Sequence, residues 1–249
     1  MIYALTIAGF DGSAGAGVLA DVKAMAHFGV YGEAVCTALT EQNEDEFVAP
    51  GWVPWERIHA QLELLFKKRN FQFVKIGLVE NAEMLKRVVD FVRAASPDSF
   101  IVWDPIASAT AGFNFMQASE RAEFLQIMKR IDLVTPNQDE YEFLGLETAG
   151  GVVANGAAAA GRDFAMLLKG GHATGAEAVD VLYCRDGSRH EFSTPRLPGK
   201  GKHGTGCNLS SAILANVALG KTLPEACSEA KKYLQVLLQS GEGRLGFVK

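Results

Sequence analysis

The chain has 249 residues, of which 48% are hydrophobic and 21% are charged, and its net charge is −5 at pH 7. This composition predicts a globular protein with a large core, and the absence of any break in composition predicts a single domain over residues 1–249. The acidic balance, with no basic run, argues against a nucleic-acid or anionic-membrane surface. The four cysteines are far apart, so we expect reduced thiols and a cytoplasmic protein. No leader sequence and no long apolar run is present, so we expect no membrane anchor.

The first element is an apolar run, Ile2–Ala8, that ends in a glycine-rich loop and is followed by helical spacing. The loop has neither the ending of a P-loop nor a clean GxGxxG motif. We interpret it as backbone close to a flat small molecule, with Asp11 or the Ala16 amide as a polar contact. An ordinary strand-to-helix turn explains this stretch equally well.

The second strand lies within Val30–Leu39 and is followed by the polar stretch Thr40–Asn43. Proteins of the α/β class place ligand-contacting groups at such strand ends. Gln42 can both donate and accept a hydrogen bond, which suits the edge of a heteroaromatic ring, although a solvated polar loop is the commoner outcome. The alternation then becomes regular, with a helix over Trp55–Lys68, a buried strand over Phe73–Ile76 and a helix over Asn81–Ala95 capped by Asn81.

Charged residues follow the later strands. The strand Ile101–Ile106 contains Asp104, which can help to hold Mg²⁺ or can cap a turn, and a small-residue loop over Ala107–Gly112 could cover a substrate. The strand Phe164–Leu168 ends at Lys169, which we expect at the same edge of the sheet as Asp104, unless it is simply exposed.

Between these two strands, Ile131–Val134 leads into a helix that Pro136 is predicted to start. Asn137 and Glu140 are three residues apart on that helix, so they are expected on one face. Two oxygen ligands one turn apart suit a hydrated Mg²⁺, and a capping box is the alternative that needs no metal.

Near residues 178–194 the pattern changes to strict alternation around a turn at Asp186-Gly187, which predicts a small antiparallel β-hairpin. A helix over Leu223–Leu238 follows later in the chain. Strands that alternate with helices predict an α/β fold with a mostly parallel central sheet and helices on both faces. The polar groups named above then meet at the carboxyl edge of the sheet.

The sequence His203-Gly204-Thr205-Gly206-Cys207 precedes a helix-like segment, Leu209–Leu219. Glycines ahead of a helix let several unpaired N–H groups point at one spot, and such a spot holds an anion. Cys207 stands at this terminus, where we expect a lowered thiol pKa. A tight turn with a buried apolar cysteine is the alternative.

Ten short stretches together make the chain resemble the hydroxymethylpyrimidine/phosphomethylpyrimidine kinases of thiamine biosynthesis, within the ribokinase-like superfamily. They occur in the family's order across nearly the whole chain. The matching stretches are Ala4–Asp11, Gly15–Gly17, Gly29–Gly32, Thr37–Asn43, Val74–Gly77, Asp104-Pro105, Thr135–Glu140, Lys169–His172, Ala178–Tyr183 and His203–Cys207.

The resemblance implies a ribokinase-like three-layer fold and ATP-dependent phosphoryl transfer to the hydroxymethyl group of a pyrimidine and then to its monophosphate. It implies that Gln42 and the Ala16 backbone hold the pyrimidine edge, with Asp11 beside them. The apolar walls implied for this subsite are Thr40, Leu78 and Ile106.

The resemblance also assigns the phosphate end of the site and implies a homodimer. Glu140, with Asp104 and Asn137, is expected to organise Mg²⁺, and Lys169 is expected to meet the ATP phosphates. The amides of Gly204, Thr205, Gly206 and Cys207 are expected to take the charge on the transferred group. The Cys207 side chain is expected to orient the acceptor hydroxyl or to accept its proton.

Other functions compete with this one. A pyridoxal kinase of the same superfamily faces the same chemical problem, but no cysteine lies in Ala107–Gly112, where a subset of those enzymes carries one. A sugar kinase is disfavoured because Cys207 stands where an aspartate is usual. The third alternative is a non-catalytic pyrimidine-sensing protein. Such a protein would not need Glu140, Lys169 and the anion hole, the group of amides from Gly204 to Cys207, together. The loop ends in Thr110-Ala111-Gly112, where the family usually has Lys-Ser-Gly.

Overall fold

The computed structural model describes residues 1–108, 113–146, 163–171, 175–197 and 201–248. Its strands are β1 (Tyr3–Phe10), β2 (Tyr31–Leu39), β3 (Glu41–Gln42), β4 (Phe47–Ala49), β5 (Phe73–Ile76), β6 (Phe100–Trp103), β7 (Leu133–Val134), β8 (Ala165–Leu168), β9 (Glu177–Tyr183) and β10 (Arg189–Pro195). Its α-helices are α1 (Gly17–His27), α2 (Trp55–Lys68), α3 (Ala82–Ala95), α4 (Arg121–Met128), α5 (Gln138–Phe143), α6 (Thr205–Ala218) and α7 (Leu223–Gln239).

The main sheet of the described chain has eight strands in the order β10-β9-β8-β7-β6-β5-β1-β2. The strands from β2 to β8 in that order pair in parallel, whereas β8, β9 and β10 pair antiparallel. The register places Ile7 of β1 opposite Ile76 of β5 and Val35 of β2. The predicted mostly parallel sheet and the predicted hairpin are therefore confirmed, and the hairpin is the edge of the same sheet.

The side chains of the inner strands of the main sheet, β1 and β5 to β8, alternate between two buried clusters, one on each face of the sheet. In β6, Ile101 and Trp103 pack into one cluster with α2, α3, α4 and α5, whereas Val102 packs into the other with α1, α6 and α7. Full burial on both faces explains why these strands read as continuous apolar runs. The result is the predicted three-layer arrangement, with helices on both faces.

The structure moves several predicted element boundaries. Asn81 caps α3 as predicted, since its side chain accepts a hydrogen bond from the Met84 N–H at 2.8 Å. Pro136 does not start α5, because Asn137 is the N-cap and the helix begins at Gln138. The strand expected to run through Asp104 ends at Trp103, which leaves the carboxylate just beyond the sheet.

Two further features of the fold differ from the expectations or complete them. The stretch after β2 is not only a polar loop, because β3 and β4 form a separate antiparallel pair that the sequence did not predict. Among the described residues, no helix is long and apolar enough to cross a membrane.

Candidate active site

A cavity of about 810 Å³ lies at the carboxyl edge of the parallel strands. It brings together residues from both ends of the chain, as the topology of a parallel sheet requires. All predicted site residues except Asp11 line it, namely Ala16, Thr40, Gln42, Leu78, Asp104, Ile106, Asn137, Glu140, Lys169, Gly204, Thr205, Gly206 and Cys207. The end of the expected covering loop, Thr110-Ala111-Gly112, lies outside the described residues, as does His172.

The N-terminus of α6 faces this cavity without a side-chain cap. Gly204 is the N-cap, with a φ of 71°, and a Cβ there would stand 2.0 Å from the carbonyl oxygen of Gly15. Only glycine fits this close approach in the left-handed region. The first N–H group that donates within the helix is that of Asn208, to the Gly204 carbonyl oxygen. The N–H groups of Thr205, Gly206 and Cys207 precede it and have no acceptor in the helix, so they are available to an anion.

The helix terminus adjoins a buried charge cluster. A Cβ on Gly206 would lie 3.2 Å from Asp104 Oδ2 and 3.3 Å from Lys169 Nζ. Lys169 Nζ lies 2.8 Å from Asp104 Oδ1 and 3.5 Å from Glu140 Oε2, as expected from the meeting of three strand ends. Thr135 Oγ1 also donates to Asp104 Oδ1, at 2.9 Å.

Burial and pairing set the charges in this cluster. Burial opposes the ionised form of Asp104, but Lys169 and Lys75 outweigh it and lower the pKa of this carboxyl. Burial alone would lower the pKa of Lys169, but Asp104 and Glu140 raise it above its ordinary value. Burial raises the pKa of Glu140 to about 7, with Lys169 acting in the opposite direction. At pH 7, Asp104 is therefore negatively charged and Lys169 is positively charged. Glu140, with a pKa of about 7, is about half protonated.

Asn137 and Glu140 form the capping box that was the alternative to a shared metal face. The Glu140 N–H donates to Asn137 Oδ1 at 2.8 Å, and the Asn137 N–H donates to Glu140 Oε2 at 2.7 Å. The cap uses the single side-chain oxygen of Asn137 and one of the two carboxylate oxygens of Glu140, and a role of the two residues at Mg²⁺ stays a prediction. Glu140 Oε1 stays outside the cap.

The carboxylates at this site fit Mg²⁺ that is held partly by water and substrate phosphates. Within the described part of the chain, no three His, Cys, Asp or Glu side chains are grouped as a metal cage. Mg²⁺ is commonly held by one or two carboxylates, with water and substrate phosphates as the other ligands. Asp104 and Glu140, beside the anion hole, match that mode of binding.

Cys207 is buried, and its environment differs from the one predicted. Burial raises the pKa of Cys207 to about 11, although Lys75 and a hydrogen bond from the Gly17 N–H favour the thiolate. Asp21 and Asp104 raise it further. The expected lowering of this pKa is therefore wrong, since loss of water around the sulfur outweighs the favourable charges and donors.

The Asp11 carboxylate holds the glycine-rich loop after β1 through hydrogen bonds to its backbone. Its carboxylate accepts hydrogen bonds from the Ser13 N–H at 2.9 Å and the Ala16 N–H at 2.8 Å, and it lies 2.9 Å from His203 Nε2. Burial opposes its ionisation, but these bonds, led by the one from His203, lower the pKa of Asp11 to about 2. Both polar groups predicted to contact a ligand, the Asp11 carboxylate and the Ala16 N–H, are thus bonded to each other.

The opposite end of the cavity has the predicted mixture of one polar edge and apolar walls. Gln42 Nε2 donates to Thr40 Oγ1 at 2.7 Å, which leaves the second amide hydrogen and the carbonyl oxygen of Gln42 outside this bond. Leu78 and Ile106 belong to a small apolar cluster that also contains residues not predicted from the sequence, among them Phe47, Trp52 and Phe115.

Sequence reasoning also missed a buried ion pair beneath the anion hole. Lys75 Nζ lies 2.6 Å from Asp21 Oδ1, and both side chains are completely buried. Thr6 Oγ1 and Ser211 Oγ donate to the same carboxylate, at 2.6 and 2.8 Å. A lysine in the otherwise apolar strand β5 was the available signal, because a buried ammonium requires a partner.

Comparison with known proteins gives consistent relationships. Residues 11–246 match the model of the family described as phosphomethylpyrimidine kinase. The chain is 37% identical to a hydroxymethylpyrimidine/phosphomethylpyrimidine kinase of Aquifex aeolicus, over 97% of this chain and 96% of that protein. The structure resembles the Staphylococcus aureus pyridoxal kinase in complex with AMP-PCP, with a TM-score of 0.82, 26% identity and coverage of 98% and 90%. It also resembles a phosphomethylpyrimidine kinase of Clostridium difficile, with a TM-score of 0.74, 29% identity and coverage of 94% and 98%.

Proposed function

The chain belongs to the phosphomethylpyrimidine kinase family, and we infer that it transfers the γ-phosphoryl group of ATP to 4-amino-5-hydroxymethyl-2-methylpyrimidine and then to the resulting monophosphate. This activity places the enzyme in thiamine biosynthesis. The observation that carries the inference is the uncapped N-terminus of α6, which lies against Lys169 and Asp104 in the cavity that also holds Gln42.

We propose that the Gln42 end of the cavity binds the pyrimidine. Its amide can donate to one ring position and accept from another, while Leu78 and Ile106 cover the faces of the ring. Thr40 orients Gln42 through their hydrogen bond. Ala16 contributes a surface rather than its N–H, because that group is bonded to Asp11.

The other end of the cavity suits the nucleotide phosphates. Lys169 supplies a fixed positive charge, and we propose that Asp104 and Glu140 hold Mg²⁺, with Asn137 positioning Glu140 through the capping box. When bound, the metal neutralises charge on the β- and γ-phosphates. The buried location of these residues strengthens each of these electrostatic interactions.

The N–H groups from Thr205 to Cys207 are proposed to stabilise the charge on the transferred phosphoryl group. Phosphoryl transfer has a loose transition state, so positioning and electrostatic stabilisation supply most of the rate. The acceptor hydroxyl oxygen bonds to the γ-phosphorus in line, the bond to the bridging oxygen breaks, and ADP leaves with the electron pair. The hydroxyl proton passes to an oxygen of the transferred phosphoryl group. Since Cys207 is a neutral thiol, we propose that it orients the acceptor and does not remove its proton.

A pyridoxal kinase is the second candidate, and the high structural similarity to the Staphylococcus aureus enzyme favours it. The matching family model and the full-length relatives favour the pyrimidine substrate. Both candidates need the same fold and the same phosphate site, so only the acceptor separates them.

The test is ADP release from Mg-ATP by the purified protein, with hydroxymethylpyrimidine, its monophosphate and pyridoxal compared at equal concentrations. We expect turnover with both pyrimidines to exceed turnover with pyridoxal. A preference for pyridoxal would move the function to vitamin B6 salvage. Binding of the pyrimidines with no ADP released in the presence of any of the three acceptors would establish a pyrimidine-sensing protein.

Two predictions about the whole protein remain proposals, a cytoplasmic location and a homodimer. Leu39 of the edge strand β2 and Val48 of β4 are exposed apolar side chains, and such side chains support self-association. Sedimentation of the purified protein over a range of concentrations measures its oligomeric state directly.

A further inference from the structure

The segment 241–245 is fastened beside the active-site cavity by its own backbone carbonyls. Lys202 Nζ donates to the carbonyl oxygens of Gly241, Gly243 and Leu245, at 3.0, 2.7 and 3.1 Å. The His203 N–H donates to the carbonyl oxygen of Arg244 at 2.7 Å. Because His203 immediately precedes Gly204, this bond holds the Arg244 backbone next to the anion hole.

Most cationic side chains that line the cavity are already fully engaged. Lys169 pairs with the carboxylates of Asp104 and Glu140, and Lys231 Nζ lies 2.8 Å from Asp180 Oδ2. Lys202 is saturated by its three carbonyls, and the Arg196 guanidinium donates to four backbone carbonyls. A second negative group on the substrate would therefore find little charge available on these four residues.

Arg244 differs from them. Its Nε is buried and has no hydrogen-bond partner within the described chain. Its Nη1 lies 3.3 Å from Asp45 Oδ1, on an aspartate whose side chain is 68% exposed. An exposed ion pair of this length is weak, and a buried N–H without an acceptor is costly, so the guanidinium is poised to take a better acceptor.

The position of Arg244 indicates which acceptor this is. Its backbone adjoins the anion hole, and its side chain reaches Asp45 in the connection between β3 and β4, close in sequence to Gln42. Arg244 thus lines the same cavity as Gln42, the residue proposed to hold the ring, and as the N-terminus of α6, the site proposed for phosphoryl transfer. A negatively charged substituent on a ring bound at Gln42 would share this cavity with Arg244.

We propose that Arg244 binds the phosphate of the monophosphate acceptor and so serves the second phosphoryl transfer specifically. This proposal rests on the proposed function. The first acceptor ends in a neutral hydroxymethyl group, whereas the second carries a charge of about −2 near neutral pH, as phosphate monoesters do. The second reaction therefore needs a cation that the first does not, and a guanidinium can bind phosphate with two parallel hydrogen bonds.

In that second reaction, an oxygen of the acceptor phosphate forms a bond to the γ-phosphorus of ATP. The bond between the γ-phosphorus and the β,γ-bridging oxygen breaks, and ADP leaves with the electron pair. Arg244 takes no part in bond making. Its role is to neutralise and orient the acceptor phosphate, which otherwise repels the γ-phosphate.

The experiment compares KM and kcat for both acceptors in the wild-type protein, R244Q and R244K. We expect R244Q to raise KM for the monophosphate about 10- to 100-fold, as loss of a charge-assisted contact does, and to leave KM for the hydroxymethyl substrate within about twofold. R244K should recover part of the loss, because it restores the charge without the bidentate geometry. Equal losses with both acceptors, or no loss with either, would overturn the proposal.

A second variant tests the same idea without touching Arg244. D45N removes the competing carboxylate from an exposed position, so it should lower KM for the monophosphate and leave the first reaction unchanged. E46Q is the matched control, since it removes the same charge from a neighbouring exposed side chain. If D45N and E46Q behave alike, the Asp45–Arg244 contact does not regulate phosphate binding. A wild-type protein that phosphorylates neither pyrimidine would instead contradict the proposed function itself.

Discussion

Cys207 illustrates how burial can reverse an expectation at the scale of one residue. A cysteine near a helix N-terminus usually gains thiolate character, but this side chain is buried and has the carboxylates of Asp21 and Asp104 near it. Its thiol therefore keeps its proton at neutral pH. The sequence motif predicted a residue that the fold places at the cavity, but the protonation state of its thiol depends on neighbours that are distant in the sequence.

We expect C207S to retain most of the wild-type kcat and C207A to lose about tenfold or less, because removal of a catalytic base would cost about 10²- to 10⁴-fold. A thiol with a pKa of about 11 does not ionise near neutrality. Both variants should therefore keep the wild-type shape of the kcat profile from about pH 6 to about pH 9. An inflection in that range that is present in the wild type and lost in C207S would show that Cys207 does transfer a proton.

Asp11 gives a prediction about stability and pH. Its pKa is about 2 in the folded protein against an ordinary value of 3.8, so the unfolded chain binds this proton more tightly. The stabilisation is about 2 kcal/mol, is complete above about pH 4 and is lost as the pH falls through about 2. D11N should accordingly lower the free energy of unfolding at neutral pH by about that amount, with a difference from wild type that shrinks in acid. Urea denaturation over this range measures it, with D98N at an exposed position as the control; a difference independent of pH would refute the assignment.

At the scale of the element, the first turn of α6 depends on a backbone conformation rather than on a side chain. Gly204 and Gly220 both have positive φ, at 71° and 83°. They differ in their surroundings, because a Cβ on Gly204 would collide with the Gly15 backbone, whereas a Cβ on Gly220 would meet nothing within 4 Å. Alanine variants at the two positions therefore separate the cost of a positive φ from the cost of displacing the loop that contains Gly15.

We expect G204A to reduce kcat at least 100-fold, because the displaced turn no longer aims its N–H groups at the transferred group, and such donors are worth about 10²- to 10³-fold. G220A should keep wild-type kcat while losing about 1 to 2 kcal/mol of stability to the same φ strain. Steady-state kinetics and urea denaturation of both variants distinguish the two effects. Similar kcat values for G204A and G220A would contradict the proposed role of the α6 terminus.

The capping box at α5 shows where element-scale prediction reached its limit. The spacing of Asn137 and Glu140 fitted both a metal face and a helix cap, and the sequence offered no means of choosing between them. The choice depends on where the helix begins, and a helix that starts at Gln138 makes Asn137 its cap. The exact first and last residues of an element, to within one or two positions, are the least certain part of a sequence-based prediction.

At the scale of the whole molecule, the fold was largely predictable and the connections beneath the site were not. Alternating apolar runs and helical spacing indicated a parallel sheet, whose geometry brings Asp104, Glu140 and Lys169 to one edge. The periodicity says nothing about which polar groups meet below that edge, so the contact of Asp11 with His203 was missed. A single domain stays a prediction, and it is supported by two core clusters that share one sheet.

The buried pair Lys75–Asp21 should matter for the stability of the whole chain, since the Asp21 carboxylate joins α1, β1, β5 and α6. We expect K75M to lower the free energy of unfolding by about 3 to 5 kcal/mol, because it leaves a buried charge without its partner. The double variant D21N/K75M should recover part of that loss. Urea denaturation of the single and double variants gives the coupling, and K86M in the exposed Lys86–Asp90 pair should change little. Strictly additive losses would show that the pair is not coupled.

These cross-connections also set an order of events during synthesis of the protein. Asp11 and His203 are 192 residues apart in the chain, and Asp21 and Ser211 are 190 apart. A ribosome that has released about the first two hundred residues has supplied Gln42, Asp104 and Lys169, but not α6, whose N-terminus is proposed to stabilise the transferred phosphoryl group. The growing chain can therefore assemble most of its sheet while it still lacks the means to consume ATP.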